Sequence, residues 1–191
     1  MVRRNVYRRT RQSFDNPGEP HQLTFSCYKK RAFLSRDRTR MYFIDALQRA
    51  RKKHRVHLWA YVIMPNHVHL LVFPTASNTT MDAFETTIKV SVSRRALAYV
   101  RANNPAGLRY MATGQSHTPY RFWFDGGGYD QNVIALDAVK NMTEYIHNNP
   151  VRAGLCEYAE AWKWSSAQEW EKEGTGIIPV DRDTYPFLPG N

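Results

Sequence analysis

Eighteen residues, 56 to 73, constrain this chain most: VHLWAYVIM, then Pro65-Asn66, then HVHLLVF. Two apolar runs of strand length separated by a Pro-Asn pair predict a β-hairpin over 56–64 and 67–73. The run before it, 38–54, places Phe43, Ile44, Leu47 and Ala50 at helical spacing among Arg40, Arg49, Arg51, Lys52 and Lys53, which predicts an amphipathic helix. Residues 22–28 (QLTFSCY) have the β-branched and aromatic content of a strand. Downstream, Phe84, Ile88 and Val92 recur at steps of four within a helix over 82–102. A short strand is expected over 121–124 (RFWF), broken by Gly126-Gly127-Gly128, and a third helix over 135–149, stopped by Pro150.

The order strand, helix, strand, strand, helix, strand, helix predicts an α+β fold: a ferredoxin-like split βαβ antiparallel sheet with helices on one face, plus a third helix. The other face is then expected to be open. With 191 residues there is room for one such domain, read here as 22–173, with a basic arm over 1–21 and a Gly/Pro-rich tail over 174–191, loose or lying on the surface. The formal net charge of +10 favours a polyanionic partner, nucleic acid before others. The two cysteines, Cys27 and Cys156, fit neither a disulfide framework nor zinc-ligand spacing. No run is long and apolar enough for a membrane helix, and the charged first residues lack the apolar stretch of a secretory leader, so a cytoplasmic setting is expected.

Two constellations carry chemistry. His67 and His69 stand two apart on a predicted strand, so both imidazoles leave one face roughly 7 Å apart along the chain, and a pair of neutral imidazoles can ligate one divalent ion. A bare His-x-His is also compatible with an accidental surface pair. Val68, Leu70 and Val72 alternate to the opposite side, which puts the histidines on the face expected to be open. His54 and His57, at a helix-to-strand junction, are expected to be structural. The second constellation is Tyr145 and Asn149, four apart on the third helix and hence on one face of it. A tyrosine hydroxyl can act as a nucleophile and an Asn oxygen as a hard metal ligand. Spacing does not choose among 11 tyrosines: Tyr61, Tyr99 and Tyr129 stay open, and Tyr145 borders the apolar stripe of Val139, Met142 and Ile146 as a core-edge residue would.

The string Met64-Pro65-Asn66-His67-Val68-His69-Leu70-Leu71-Val72, with Tyr145-Ile146-His147-Asn148-Asn149-Pro150-Val151-Arg152-Ala153-Gly154-Leu155 far downstream, resembles the single-tyrosine transposases of the HUH superfamily, specifically the REP-associated tyrosine transposases. Arg121-Phe122-Trp123, Gly127-Gly128-Tyr129-Asp130 and Trp164-Ser165-Ser166-Ala167 match patterns of the same group, so the resemblance spans about Leu23 to Trp170. It implies that His67 and His69 are metal ligands with Asn149 as the third, that Tyr145 is the nucleophile, and that the cofactor is Mg²⁺ or Mn²⁺. The implied reaction is cleavage and rejoining of single-stranded DNA through a 5′-phosphotyrosine, on a palindromic hairpin of the REP type. Asn149 is shorter than the Gln some relatives carry there, and Cys156 replaces a common aliphatic residue. The partner is then single-stranded or hairpin DNA, with a monomer and a homodimer both open.

The expected DNA contacts are Arg3, Arg4, Arg8 and Arg9 of the arm, Lys89, Arg94 and Arg95 of the second helix, Arg121, Arg152, and Trp123 as a stacking platform for unpaired bases. Trp123 can equally belong to the core. A non-catalytic binder of hairpin or single-stranded nucleic acid on the same fold is the alternative, although no aromatic strand pattern of an RNA-recognition module is seen. A relaxase or replication initiator would share the histidine pair but often differs in chain order.

Overall fold

The computed structural model describes residues 18–125 and 128–187. Arg3, Arg4, Arg8, Arg9, Gly126 and Gly127 lie outside them. Among the described residues a four-stranded antiparallel sheet runs in the order β2-β3-β1-β4, with β1 at His21–Ser26, β2 at Val56–Ile63, β3 at His67–Pro74 and β4 at Tyr129–Asn132. Helix α1 (Asp37–His54) links β1 to β2, and α2 (Met81–Asn103) links β3 to β4. This is the predicted split βαβ order.

Alternation sorts the strands between two cores. Leu23 and Phe25 of β1, Leu58, Tyr61 and Ile63 of β2, and Val68, Leu70 and Val72 of β3 pack under α1 and α2. The opposite side of β2 and β3 is not open. Helix α3 (Leu136–His147) lies on it, and Val139 and Ile146 join Trp59, Ala60, Val62, Leu71 and Tyr185 in a second apolar cluster. A register shift between Leu58 and Ala60 turns Trp59 to this side. Both faces being covered is the physical reason β2 reads as a nearly unbroken apolar run.

The outer edge of β2 is closed by the C-terminal part of the chain, as an unpaired edge requires. The backbone N–H of Ile63 donates to the Trp164 carbonyl, that of Ser166 to the Tyr61 carbonyl and that of Asp181 to the Leu58 carbonyl. The indoles of Trp162 and Trp170 donate to the carbonyls of Ile63 and Trp59. The segment beyond residue 174, expected to be loose or superficial, therefore belongs to the fold up to Phe187: Ile178 is fully buried in the first core.

The fourth strand is Tyr129–Asn132, not 121–124. The latter stretch meets β1's extension at one bridge, Trp123 with Cys27. From there to the Tyr129–Thr24 pair the chain takes six steps against three on β1, so the two stretches are not in continuous register. Gly128 has a reason to lack a side chain: a Cβ there would lie 2.1 Å from the Thr24 carbonyl oxygen. Both cysteines are free thiols.

Replacing Ile178 with alanine should remove a well-packed core side chain. Urea unfolding is expected to show a loss of about 2–4 kcal/mol, whereas a surface tail would leave the midpoint unchanged.

Candidate active site on the second sheet face

The site grows out of strand register. Residues directly opposite on antiparallel strands share a face: His69 faces Thr24, and His67 faces Ser26. Their rings meet edge to face with centroids 4.9 Å apart. Helix α3 brings Tyr145 to the same place, its ring 5.6 Å from that of His69 and nearly perpendicular to it. A strand and a helix some seventy residues apart thus deliver two imidazoles and a phenol to one patch, on the same side of the sheet. The patch borders a polar half-face, because the β1 residues beside it are Gln22, Thr24 and Ser26 and those of β4 are Tyr129 and Gln131.

The imidazoles are held at one nitrogen each. His67 Nδ1 lies 2.6 Å from Asn66 Oδ1. A carboxamide oxygen only accepts, so Nδ1 carries the proton and Nε2 keeps its lone pair. His69 Nδ1 lies 2.7 Å from the Thr24 hydroxyl, which can accept from Nδ1–H and in that tautomer leaves the Nε2 lone pair for another partner. Burial lowers the pKa of His69 to about 4, helped by His67 and Arg152, and lowers that of His67 with help from Lys30. Both rings are neutral at pH 7, the form that ligates a metal. Among the described residues no three His, Cys, Asp or Glu side chains come together, so further ligands would be an amide, water or substrate oxygens.

Asn149 does not sit on a continuous helix with Tyr145. α3 ends at His147, Asn148 caps it, and a short α4 spans Asn149–Arg152. Asn149 Nδ2 donates to the Tyr145 carbonyl at 2.9 Å, satisfying an orphan carbonyl of the helix end and leaving Oδ1, the atom a hard cation prefers, out of that bond. His147 faces away from Tyr145 and is buried against Ser166 Oγ at 2.8 Å. Ser166 Oγ also accepts from the Tyr61 N–H at 2.9 Å.

The predicted DNA contacts divide sharply. Arg152 stands over the Tyr145 ring, its guanidinium carbon 4.6 Å from the centroid, and is exposed, as is Arg94. Lys89 is bound to the buried Glu85 at 2.5 Å and lies over Phe25, so it is not part of an open phosphate track. Arg95 pairs with Asp45 at 2.8 Å, and Arg121 pairs with Asp125. Trp123 is no stacking platform: it is 6% exposed, packs edge-on against Phe25, and donates its indole N–H to the Lys89 carbonyl. Tyr61 is fully buried under α1 and α2. His54 and His57 bind Thr87 and Thr184, structural roles as expected. Thr24 and Asn66, which orient the imidazoles, were not singled out from sequence. Thr24 carries no local signal and is found only through a pairing 45 residues long, while Asn66 reads as a turn residue.

The fold recurs in a solved structure of a REP-associated tyrosine transposase bound to a REP hairpin, with a TM-score of 0.66 over 91% of this chain and 90% of that one, at 14% identity. This chain has the fold of that transposase. A presumed transposase from Deinococcus radiodurans is also similar, with a TM-score of 0.45 and 17% identity over 73% of this chain and 97% of that one. No family model and no curated protein matches the sequence. Among the described residues no helix is long and apolar enough to cross a membrane.

The buried neutral histidines set a pH dependence. The unfolded chain takes up these protons near pH 6.5, whereas His69 and His147, each with a pKa lowered to about 4 by burial, do so only near pH 4. The native state thus binds fewer protons between those values and loses stability as pH falls through that window. Each contributes a slope of up to about 1.4 kcal/mol per pH unit. Urea midpoints should fall from pH 7 to pH 5, and His147→Gln should flatten that fall.

Proposed function

We propose that this protein is a single-tyrosine transposase of the REP-associated type, cleaving and rejoining single-stranded DNA with Tyr145 as the nucleophile. The observation that carries the reading is the meeting of Tyr145 with His69 and His67 at ring separations of 5.6 and 4.9 Å. The likeness to the transposase fold supports it, as do the two motifs that resemble that family.

The donor set fits a divalent ion, Mg²⁺ or Mn²⁺: two neutral imidazoles, each with Nδ1 held and Nε2 available, with Asn149 Oδ1 as a third ligand. Such an ion, when bound, supplies Lewis-acid polarisation of a phosphoryl oxygen. The chain's own residues do the rest. Thr24 and Asn66 fix the imidazole orientations. Arg152, exposed beside Tyr145, is placed to accompany the phosphate by paired N–H donors. Tyr145 Oη bonds to phosphorus and the bond to O3′ breaks. The phenolic proton passes to solvent, and O3′ takes up a proton and leaves as a hydroxyl. His147 is excluded as the base, because Ser166 holds it away from the site. The phosphotyrosine conserves the phosphodiester energy, so a 3′-hydroxyl can reverse the step and join strands without nucleotide hydrolysis.

With a hairpin carrying a single-stranded flank and Mn²⁺, denaturing gels should show a covalent protein–DNA adduct. Tyr145→Phe should lower its formation by about three orders of magnitude or more while hairpin binding survives, and EDTA should abolish it. An undiminished adduct in the Phe variant would remove Tyr145 from the role, and binding without any adduct would leave a non-catalytic hairpin binder. Thr24→Val should weaken Mn²⁺ binding, followed by electron paramagnetic resonance, about 10- to 100-fold. An unchanged titration would deny Thr24 its orienting part.

A further inference from the structure

A basic cleft lies at the other end of the β2–β3 hairpin from the histidines. Arg51 and Lys52 of α1, Arg55 just beyond it and His57 of β2 line a hollow of about 510 Å³ with Gln48 and Asp181. Its one carboxylate is already engaged: Asp181 accepts from Arg51 at 2.5 Å and from the Leu58 N–H at 2.6 Å. Lys52 and Arg55 are exposed and have no ionic partner among the described residues. The corner that carries Arg55 is rigid, a left-handed residue (φ 53°, ψ 56°) whose carbonyl accepts from both the N–H and the hydroxyl of Thr75. A smaller hollow of about 200 Å³ continues along α1, sharing Gln48 and Lys52 and adding Arg49 and Asp45, whose carboxylate pairs with Arg95.

This strip is separate from the His–Tyr patch. β3 starts at His67 and ends at Pro74, which pairs with Val56 at the cleft. At about 3.3 Å per residue the two places are roughly 20 Å apart. Cations whose neighbouring acid is neutralised attract a polyanion. The lining contains no Phe, Tyr or Trp, its one ring being the His57 imidazole, which is tied to Thr184, and sites for unpaired strands rely on aromatic stacking. A backbone-only contact of this kind suits the phosphates of a duplex, which read position and not sequence.

We infer that the cleft formed by Lys52, Arg55 and Arg51 is a second DNA contact, holding duplex phosphates of a hairpin stem while the attached single strand reaches Tyr145. The inference rests on the proposed strand-transfer reading for what happens at the far end. Roughly 20 Å corresponds to about six phosphate steps of one duplex strand, within the length of a short stem.

The test is the double variant Lys52→Glu, Arg55→Glu, with both sites exposed and an unchanged thermal melt as the folding control. Fluorescence anisotropy in EDTA compares a stem with its single-stranded arm against the arm alone. The variant should bind the hairpin about tenfold or more weakly, and its log–log salt slope should shrink by about two. Its affinity for the arm alone should change less than twofold. Unchanged hairpin affinity, or equal losses on both ligands, would overturn the inference. Because binding is read without metal, a stem preference that survives in an enzyme forming no adduct would sink the strand-transfer reading and keep the cleft.

Discussion

The arrangement depends on a helix held against the second face of the sheet. α3 buries Val139 and Ile146 on β2 and β3 and is fastened by polar bonds that burial makes costly to break. His147 binds Ser166, which also holds the backbone of Tyr61 in β2, and Thr143 binds the Tyr185 hydroxyl. Tyr145, two residues before His147, is thereby carried to the rim of the apolar cluster, where the polar half of the face begins. The same fastening explains the Trp-Ser-Ser stretch: Trp164 and Ser166 extend the sheet past β2, and Ser166 turns its hydroxyl toward the helix.

Charge is distributed by the same logic. A net charge of +10 suggests a uniformly basic surface, yet several of its cations are internal fasteners. Lys89 neutralises Glu85 beneath β4, Arg95 ties α2 to α1 through Asp45, and Arg51 ties α1 to the C-terminal segment through Asp181. Other cations are exposed across the described surface, among them Arg94, Arg152 by the phenol, and Lys52 with Arg55 at the far end. Arg152 and the Lys52–Arg55 pair lie far enough apart to touch different parts of one ligand.

Most of the fold was legible because its elements have strong periods. The hairpin and the helices over 38–54 and 82–102 match α1, α2, β2 and β3 to within a residue or so. What escaped the sequence was set by tertiary contacts. Tyr129–Asn132 is short and polar with none of its residues buried, so it has no hydrophobic alternation to detect, and the more hydrophobic 121–124 is the stronger strand signal. An unbroken apolar β2 is the signal of two covered faces, and reading it as such would have closed the face expected to be open. Ile178 sits among Gly and Pro residues, where composition argues for a tail. In the site, it is the motif resemblance that singles out His67, His69 and Tyr145, since an imidazole pair and a core-edge tyrosine are each ambiguous alone. Thr24 and the backward turn of the Asn149 amide depend on register and on a helix end, which no local pattern encodes.

The convergence also bears on how many chains a reaction would need. Here the phenol meets the imidazoles of its own chain. Exchange with a second copy would require α3 to leave the sheet, exposing Val139 and Ile146, parting Thr143 from Tyr185 and leaving the buried His147 without Ser166. Each exposed aliphatic side chain forfeits about 1.5–3 kcal/mol, and an orphaned buried polar group about 1–3 kcal/mol more. Only a partner that restored the same contacts in full could offset that. On the proposed reading, the helix that supplies the nucleophile is therefore held to the sheet by contacts that only an equivalent helix could replace.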